Sequence, residues 1–316
     1  MHLLLASVPP WAWGGFLLFV LSMLALDLGV FHRRSHEVAP REALVWSLVW
    51  VTLALAFNAG VWRWMGAERG LEFLSGYLIE KSLSVDNIFV FAVIFGALRT
   101  PPQHQHRVLF WGILTALVLR GAMIFAGVAL LERFHGLIYV LGGFLVLTGV
   151  RLLVQRECDP EQGFAFRLVR RLVPSTPRYD GGRFFTREGG RRLATPLFVA
   201  LVLVEVTDVI FALDSIPAIF AVTRDPFVVF TSNVFAILGL RSLYFLLAGA
   251  VGKFHYLKAG LAAVLVFVGL KMALVEVVKI PPAVSLPVIA GILVLAVVAS
   301  LARTRRLAAR GEAART

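Results

Sequence analysis

Apolar residues arrive in long blocks separated by short polar intervals. Nine such blocks lie near 11–31, 43–62, 73–98, 108–131, 136–155, 196–222, 227–250, 257–278 and 283–302. Each is roughly 20 residues or longer, the length a helix needs to cross a hydrocarbon core about 30 Å thick. Helices are predicted throughout, because in lipid a helix satisfies its own backbone polar groups. The expected fold is all-α: a polytopic membrane helical bundle of about nine transmembrane helices. The whole chain, 1–316, reads as one transmembrane domain with a single long cytoplasmic loop, 156–195, in which Tyr179-Asp180-Gly181-Gly182-Arg183-Phe184-Phe185-Thr186 suggests a small hairpin.

Composition agrees with that pattern. The chain is 59% hydrophobic and 16% charged, against about 45–50% and 25% for a soluble domain. Its mean hydropathy is +0.83. The net charge of +12 could suggest nucleic acid, but the basic residues sit in the intervals, where topology accounts for them. Of the 31 Lys and Arg, 21 fall in the tail, in the loops after the first, third, fifth and seventh blocks and, as Lys258, at the entry of the eighth block, and five on the other side. Basic loops mark the cytoplasm. The expectation is a multi-pass inner-membrane protein with its N-terminus outside and its C-terminus in the cytoplasm. The first apolar run has no basic lead-in and carries Asp27, so it reads as a true span rather than a cleaved signal. Cys158, the single cysteine, excludes an internal disulfide and reads as a solvated thiol.

Charges also stand inside the blocks: Lys81, Arg120, Arg151, Arg241 and Lys271, with Asp27, Glu80, Asp86, Glu205, Asp208, Asp214 and Glu276. Each costs at least about 2.5–3.5 kcal/mol near the bilayer centre. Such groups must face one another, water or an ion. Asp27, close to Arg33 and Arg34, reads as a structural pair at the cytoplasmic end. Asn58 and Asn233 are expected to hydrogen-bond between helices. His135 and His255 read as interfacial packing residues, and the His104/His106 pair is a weak metal signal.

Two halves of the chain share landmarks. Phe134-His135-Gly136-Leu137 parallels Phe254-His255-Tyr256-Leu257. Gly149 and Arg151 parallel Gly269 and Lys271, and Leu119-Arg120 parallels Leu240-Arg241. Glu80 precedes Asp86-Asn87 as Asp208 precedes Asp214-Ser215. Blocks three to five therefore resemble blocks six to eight. Because three is odd, the second copy enters the membrane inverted. Two inverted three-helix repeats are a transporter signature, with the substrate near midplane at their interface.

The acidic segments run Glu80 to Asn87 and Glu205 to Pro217. Carboxylate, amide and hydroxyl oxygens are hard ligands suited to magnesium, calcium or manganese. No Cys or His joins them, which argues against a zinc or copper cage. On regular helices Glu80, Ser84 and Asn87 share a face, as do Glu205 and Asp208. Asp86 and Asp214 point about 120° away. Pro217 frees the carbonyl of Leu213, and Gly76, Ser82 and Ser84 suggest a similar distortion in block three. Asp86 and Asp214 are the expected main metal ligands. Asn87, Ser215, Glu80 and Asp208 are neighbours, with Glu205 close by. Arg120, Arg241 and Lys81 would compensate the charge of an empty site and swing away when a metal enters. The alternative is that these cations merely glue the bundle together.

The stretch Glu80-Lys81-Ser82-Leu83-Ser84-Val85-Asp86-Asn87-Ile88-Phe89-Val90-Phe91 resembles the first hallmark of the TerC family of integral membrane proteins. Glu205-Val206-Thr207-Asp208 through Phe211-Ala212-Leu213-Asp214-Ser215-Ile216-Pro217-Ala218 resembles the second. Leu26-Asp27-Leu28-Gly29 and the Arg-rich loop before Thr195-Pro196-Leu197 are also similar, so the likeness covers about residues 20–300. It implies manganese export from the cytoplasm, as in Alx-like members, and an indirect link to tellurium resistance. The short basic tail leaves no room for the regulatory domains of longer relatives, so no nucleotide sensing is expected.

The function expected from sequence is export of divalent cations, manganese first, through a mid-membrane carboxylate site. The alternative is a non-transporting assembly or stress-response factor. No nucleophile elbow, zinc-protease motif or phosphate loop points to an enzyme. No cofactor is expected. The partners are the metal substrate and membrane lipids, with no nucleic acid. Association into a homo-oligomer is an open option.

Overall fold

The computed structural model describes residues 8–29, 40–134, 136–154, 164–247 and 256–313. All nine apolar blocks contain helix: α1 (Pro10–Gly29), α2 (Pro40–Met65), α3 (Ala67–Ala97), α4 (Pro102–Arg133), α5 (Leu137–Val154), α7 (Pro196–Phe220), the pair α8 (Pro226–Leu238) and α9 (Leu240–Leu247), α10 (Leu257–Ala273) and α11 (Pro282–Ala313). A short helix α6 (Phe164–Leu172) and a hairpin of β1 (Phe185–Glu188) and β2 (Arg191–Ala194) occupy the long loop. Among the described residues, six segments are long and apolar enough to cross a membrane: α2, α4, α5, α7, the α8–α9 pair and α11. The protein is a helical, polytopic membrane protein.

Prolines set several helix starts. Pro102, Pro196 and Pro226 stand in the first turns of α4, α7 and α8, where the missing N–H would have no helical partner anyway. Asp225 caps α8 by accepting from the amides of Phe227 (2.9 Å) and Val228 (3.3 Å). All thirteen α8 residues are buried, as expected of a helix apolar on every side. Trp13, Phe16 and Phe57 pack edge-on or tilted against Phe227 and Phe235, fixing α1 and α2 to this central helix. Leu44, Leu48, Leu55, Val140, Leu147, Val294 and Leu295 stay exposed along α2, α5 and α11. That perimeter suits lipid.

The repeat is visible in packing. A Cβ on Gly142 of α5 would meet the Gly269 carbonyl of α10 at 2.9 Å, and one on Gly269 would meet the Gly142 carbonyl at 2.7 Å. Likewise a Cβ on Gly149 would sit 2.8 Å from the Ala262 carbonyl. In the register that sets Gly149 on Gly269, Gly142 falls on Ala262, so these contacts exchange under a twofold operation. Glycine lets the two backbones approach this closely. The packing of α3 on α8 is mirrored by that of α7 on α4.

Three local expectations change. The distortion suggested near Ser82 and Ser84 is not seen, because α3 is helical from Ala67 to Ala97. Ser82 instead donates to the Leu78 carbonyl within its own helix, at 2.6 Å. The interruption falls in block seven, at Gly239 between α8 and α9. The hairpin suggested at 179–186 turns further on, at Gly189-Gly190, whose φ values of 55° and 77° fit a two-residue loop. Residues 180–183 make a separate turn. Asn233 is fully buried, yet neither of its polar side-chain atoms finds a partner among the described residues. The Asn58 oxygen is in the same position. His135, His255, Cys158 and the Asp27 side chain lie outside the described residues.

Candidate functional site

α3 carries Glu80, Ser84 and Asn87 on one face, all buried to within 1% of full enclosure. α7 brings Asp208, 4% exposed, against them, and α4 supplies Arg120, 2% exposed. The guanidinium is the hub. Its Nε donates to Asp208 Oδ2 at 3.0 Å and one terminal nitrogen to Asp208 Oδ1 at 2.6 Å. The other terminal nitrogen donates to Glu80 Oε1. Asn87 Nδ2 also reaches Asp208 Oδ1, at 3.5 Å. Glu80 and Asp208 thus meet, from two helices of opposite repeats, on one planar fork. Arginine suits this role because its five donors are rigidly arranged and always charged.

The other predicted cations go elsewhere. Lys81 donates to the Ala236 carbonyl at 3.2 Å. That carbonyl lies in the last turn of α8, where the helix dipole favours a positive charge. The Gly239 interruption thereby gives Lys81 its partner. Arg241 of α9 lines, with Asp208, Phe91, Gly112 and Leu240, a small cavity of about 10 Å³, enough for roughly one water.

Glu205 lies one helical turn before Asp208, half-buried, and neither oxygen has a hydrogen-bond partner among the described residues. Glu80 Oε2, Ser84 Oγ, Asn87 Oδ1 and Ser215 Oγ are likewise buried and unpartnered there. Buried polar atoms normally find partners, so this set of orphaned oxygens on α3 and α7, the helices that hold the arginine's two carboxylates, is unusual. Asp214 does not join the cluster. It hydrogen-bonds Thr148 of α5 and faces Arg151. The Asp86 side chain lies outside the described residues, though its backbone continues α3. The structure therefore gathers Glu80, Asn87, Arg120 and Asp208, sets Glu205 beside them, and directs Asp214 to α5. Among the described residues no three His, Cys, Asp or Glu side chains are grouped to hold a metal. The central pair of carboxylates holds the guanidinium instead.

A second ionic cluster was absent from the sequence prediction. Arg69 donates to Glu72 Oε2 at 2.7 Å and to Thr223 Oγ1 at 3.2 Å, while Thr223 donates to Glu72 at 2.7 Å. Arg69 Nε is 3.9 Å from Asp225 Oδ2. The available signal was Asp225-Pro226, an N-cap followed by a first-turn proline. Glu72 sits one residue outside block three and drew no notice.

At the other end, the hairpin region docks on the bundle. Tyr179 donates its hydroxyl to the Leu98 carbonyl at 2.7 Å, and burial raises its pKa, keeping it a donor. Phe166 and Val169 of α6 are buried in an apolar cluster with Phe95, Leu109, Leu197, Ala200 and Tyr244.

Comparison with known proteins follows the same lines. The integral membrane protein TerC family matches residues 65–308. An uncharacterized membrane protein of Myxococcus xanthus is 67% identical over 298 residues, covering 94% of this chain and 93% of that protein. The Alx protein of Escherichia coli strain K12, whose name calls it a membrane-bound redox modulator, is 50% identical over 297 residues, covering 90% and 92%. A membrane protein of Rickettsia bellii is 38% identical over 294 residues, covering 92% and 97%. No solved structure matches.

Proposed function

The chain belongs to the TerC family of integral membrane proteins, and on that premise we propose that it exports divalent metal cations, manganese first, from the cytoplasm. The observation that carries this reading is the meeting of Glu80 and Asp208 from the two repeats, deep in the bundle, on helices that carry further buried oxygens without partners among the described residues. Hard, oxygen-only donors of this kind suit manganese, magnesium or calcium. Arg120 occupies the carboxylates when no cargo is bound. Entry of a metal displaces it and recruits Glu205, Asn87, Ser84 and Ser215, with Asp86 and Asp214 contributing as the repeats rock. Arg241 and Lys81 offset charge from α9 and α3.

Cation exit works against a membrane potential that costs about 2.3 kcal/mol per charge per 100 mV. Exchange for protons would offset that cost, and a flux insensitive to an imposed proton gradient would remove this part. The Alx name concerns redox modulation in a relative. With one cysteine, this chain has no intramolecular dithiol to perform it. A non-transporting assembly or stress-response role is the competing reading, in which the acids serve only the fold.

The test is cellular manganese content in cells expressing the parent chain, Asp86→Asn or Asp214→Asn at equal protein level. Raised manganese in the variants alone supports export. Equal content in all three favours the non-transporting role.

A further inference from the structure

The two ends of the bundle are sealed by different chemistry, and the repeat makes the difference measurable. Aligning Glu80 with Asp208, Asp86 with Asp214 and Asn87 with Ser215 sets Arg69 on Leu197, Glu72 on Ala200, Phe95 on Thr223 and Ala97 on Asp225. Arg69, Glu72, Thr223 and Asp225 form the ionic cluster that ties the start of α3 to the α7–α8 turn. Their counterparts Leu197, Ala200 and Phe95 are enclosed in apolar packing beneath α6 and the hairpin. Equivalent positions therefore make an ionic contact at one end and a dry hydrophobic contact at the other.

We propose that the Arg69–Glu72–Thr223–Asp225 cluster is the gate at the end of the bundle opposite the hairpin, the end through which a cation leaves. This rests on the transporter reading above. The geometry has the properties of a latch. Glu72 and Asp225 are nearly enclosed, with side chains 9% and 2% exposed, whereas Arg69 is 39% exposed. Water can take over the guanidinium when it swings out, so opening this end exchanges one polar partner for another. Opening the hairpin end requires separation of packed apolar side chains, which has no such compensation. A cavity of about 240 Å³ lies beside the latch, lined by Val128, Leu131, Glu132, Phe220 and Arg224. Arg224 stands between Thr223 and Asp225 in the chain, so the cavity wall and the latch share one turn. By the charge bias of the loops, this end faces away from the cytoplasm.

Ser75, fully buried one turn deeper in α3 than Glu72, is the reporter position. The full chain carrying Cys158→Ser and Ser75→Cys is placed in lipid nanodiscs, where a polar maleimide reaches both faces, and its labelling rate is measured. Arg69→Gln is expected to raise that rate roughly tenfold, the scale of one charge-assisted hydrogen bond in an opening equilibrium. Thr223→Val, which keeps every charge, should raise it less. A second reporter, Thr100→Cys, buried at the hairpin end, should keep its rate in both variants. An unchanged rate at position 75, or an equal rise at position 100, overturns the gate. The readout is access rather than manganese. A chain that moves no manganese yet shows the selective rise overturns the cargo and keeps the gate.

Discussion

Arg120 is the residue on which the site turns. Its guanidinium is enclosed and holds two carboxylates from different helices. Breaking such an arrangement by removing one member costs about 3–5 kcal/mol, because the remaining charges are buried without a partner. Arg120→Met should therefore lower the thermal stability of the purified protein sharply. Adding Glu80→Gln and Asp208→Asn should recover most of that loss, since neither of the two carboxylates is then left as an uncompensated buried charge. Thermal unfolding in detergent reads both. If Arg120→Met alone melts like the parent, the cluster does not hold the fold. The charged members were conspicuous in the sequence, because any charge in an apolar block stands out. Their pairing was not. Lys81, Arg120 and Arg241 were equal candidates until packing set Lys81 on the end of α8 and Arg120 between α3 and α7. Glu72 and Asp225 escaped notice because they flank blocks, where charges need no explanation.

Helix pairs carry the second level of specificity. α5 and α10 touch backbone to backbone through Gly142, Gly149 and Gly269. A side chain at any of the three would have to push a carbonyl aside rather than a flexible tip. Gly269→Val is expected to destabilise by about 1–3 kcal/mol, as overpacking does, and Gly142→Val by a similar amount because each glycine faces the other's carbonyl, at 2.7 and 2.9 Å from an added Cβ. Gly143→Val meets open space and serves as the control. Membrane levels of the three variants and their melting temperatures separate these outcomes. A second expectation concerns α8. Asp225→Ala removes its cap, at a cost of about 0.5–2 kcal/mol, and loosens Arg69 as well. Every apolar block contains a helix, so the elements were legible in block length and composition, but α3, α4 and α11 run past the blocks that predicted them. The α8–α9 interruption was hidden because Gly239 sits among apolar residues, where a glycine within a helix and one between helices read alike. The strand pairing was misplaced because Asp180-Gly181-Gly182 and Gly189-Gly190 are both turn signals, and only the second has two strands to join.

At the scale of the whole molecule, a pseudo-symmetric pair of repeats is capped unequally. One end wears α6 and the hairpin, held by Tyr179 and the apolar packing of Phe166 and Val169, and the other has the ionic cluster. Arg167, Arg171, Arg183, Arg187, Arg191 and Arg192 are exposed on the hairpin side, and the positive-inside rule predicts that this side faces the cytoplasm. A green fluorescent protein fused to the C-terminus should fluoresce, and alkaline phosphatase at the same position should be inactive. The reverse pattern would invert the topology. The direct measurement of the central claim is manganese flux in sealed vesicles containing the purified chain. The parent should move manganese faster than empty vesicles, and Asp208→Asn, present at equal density, should lose at least about tenfold, as one lost charged ligand contact implies. Parent vesicles no leakier to manganese than empty ones, or a variant that keeps the parent rate, would contradict the account.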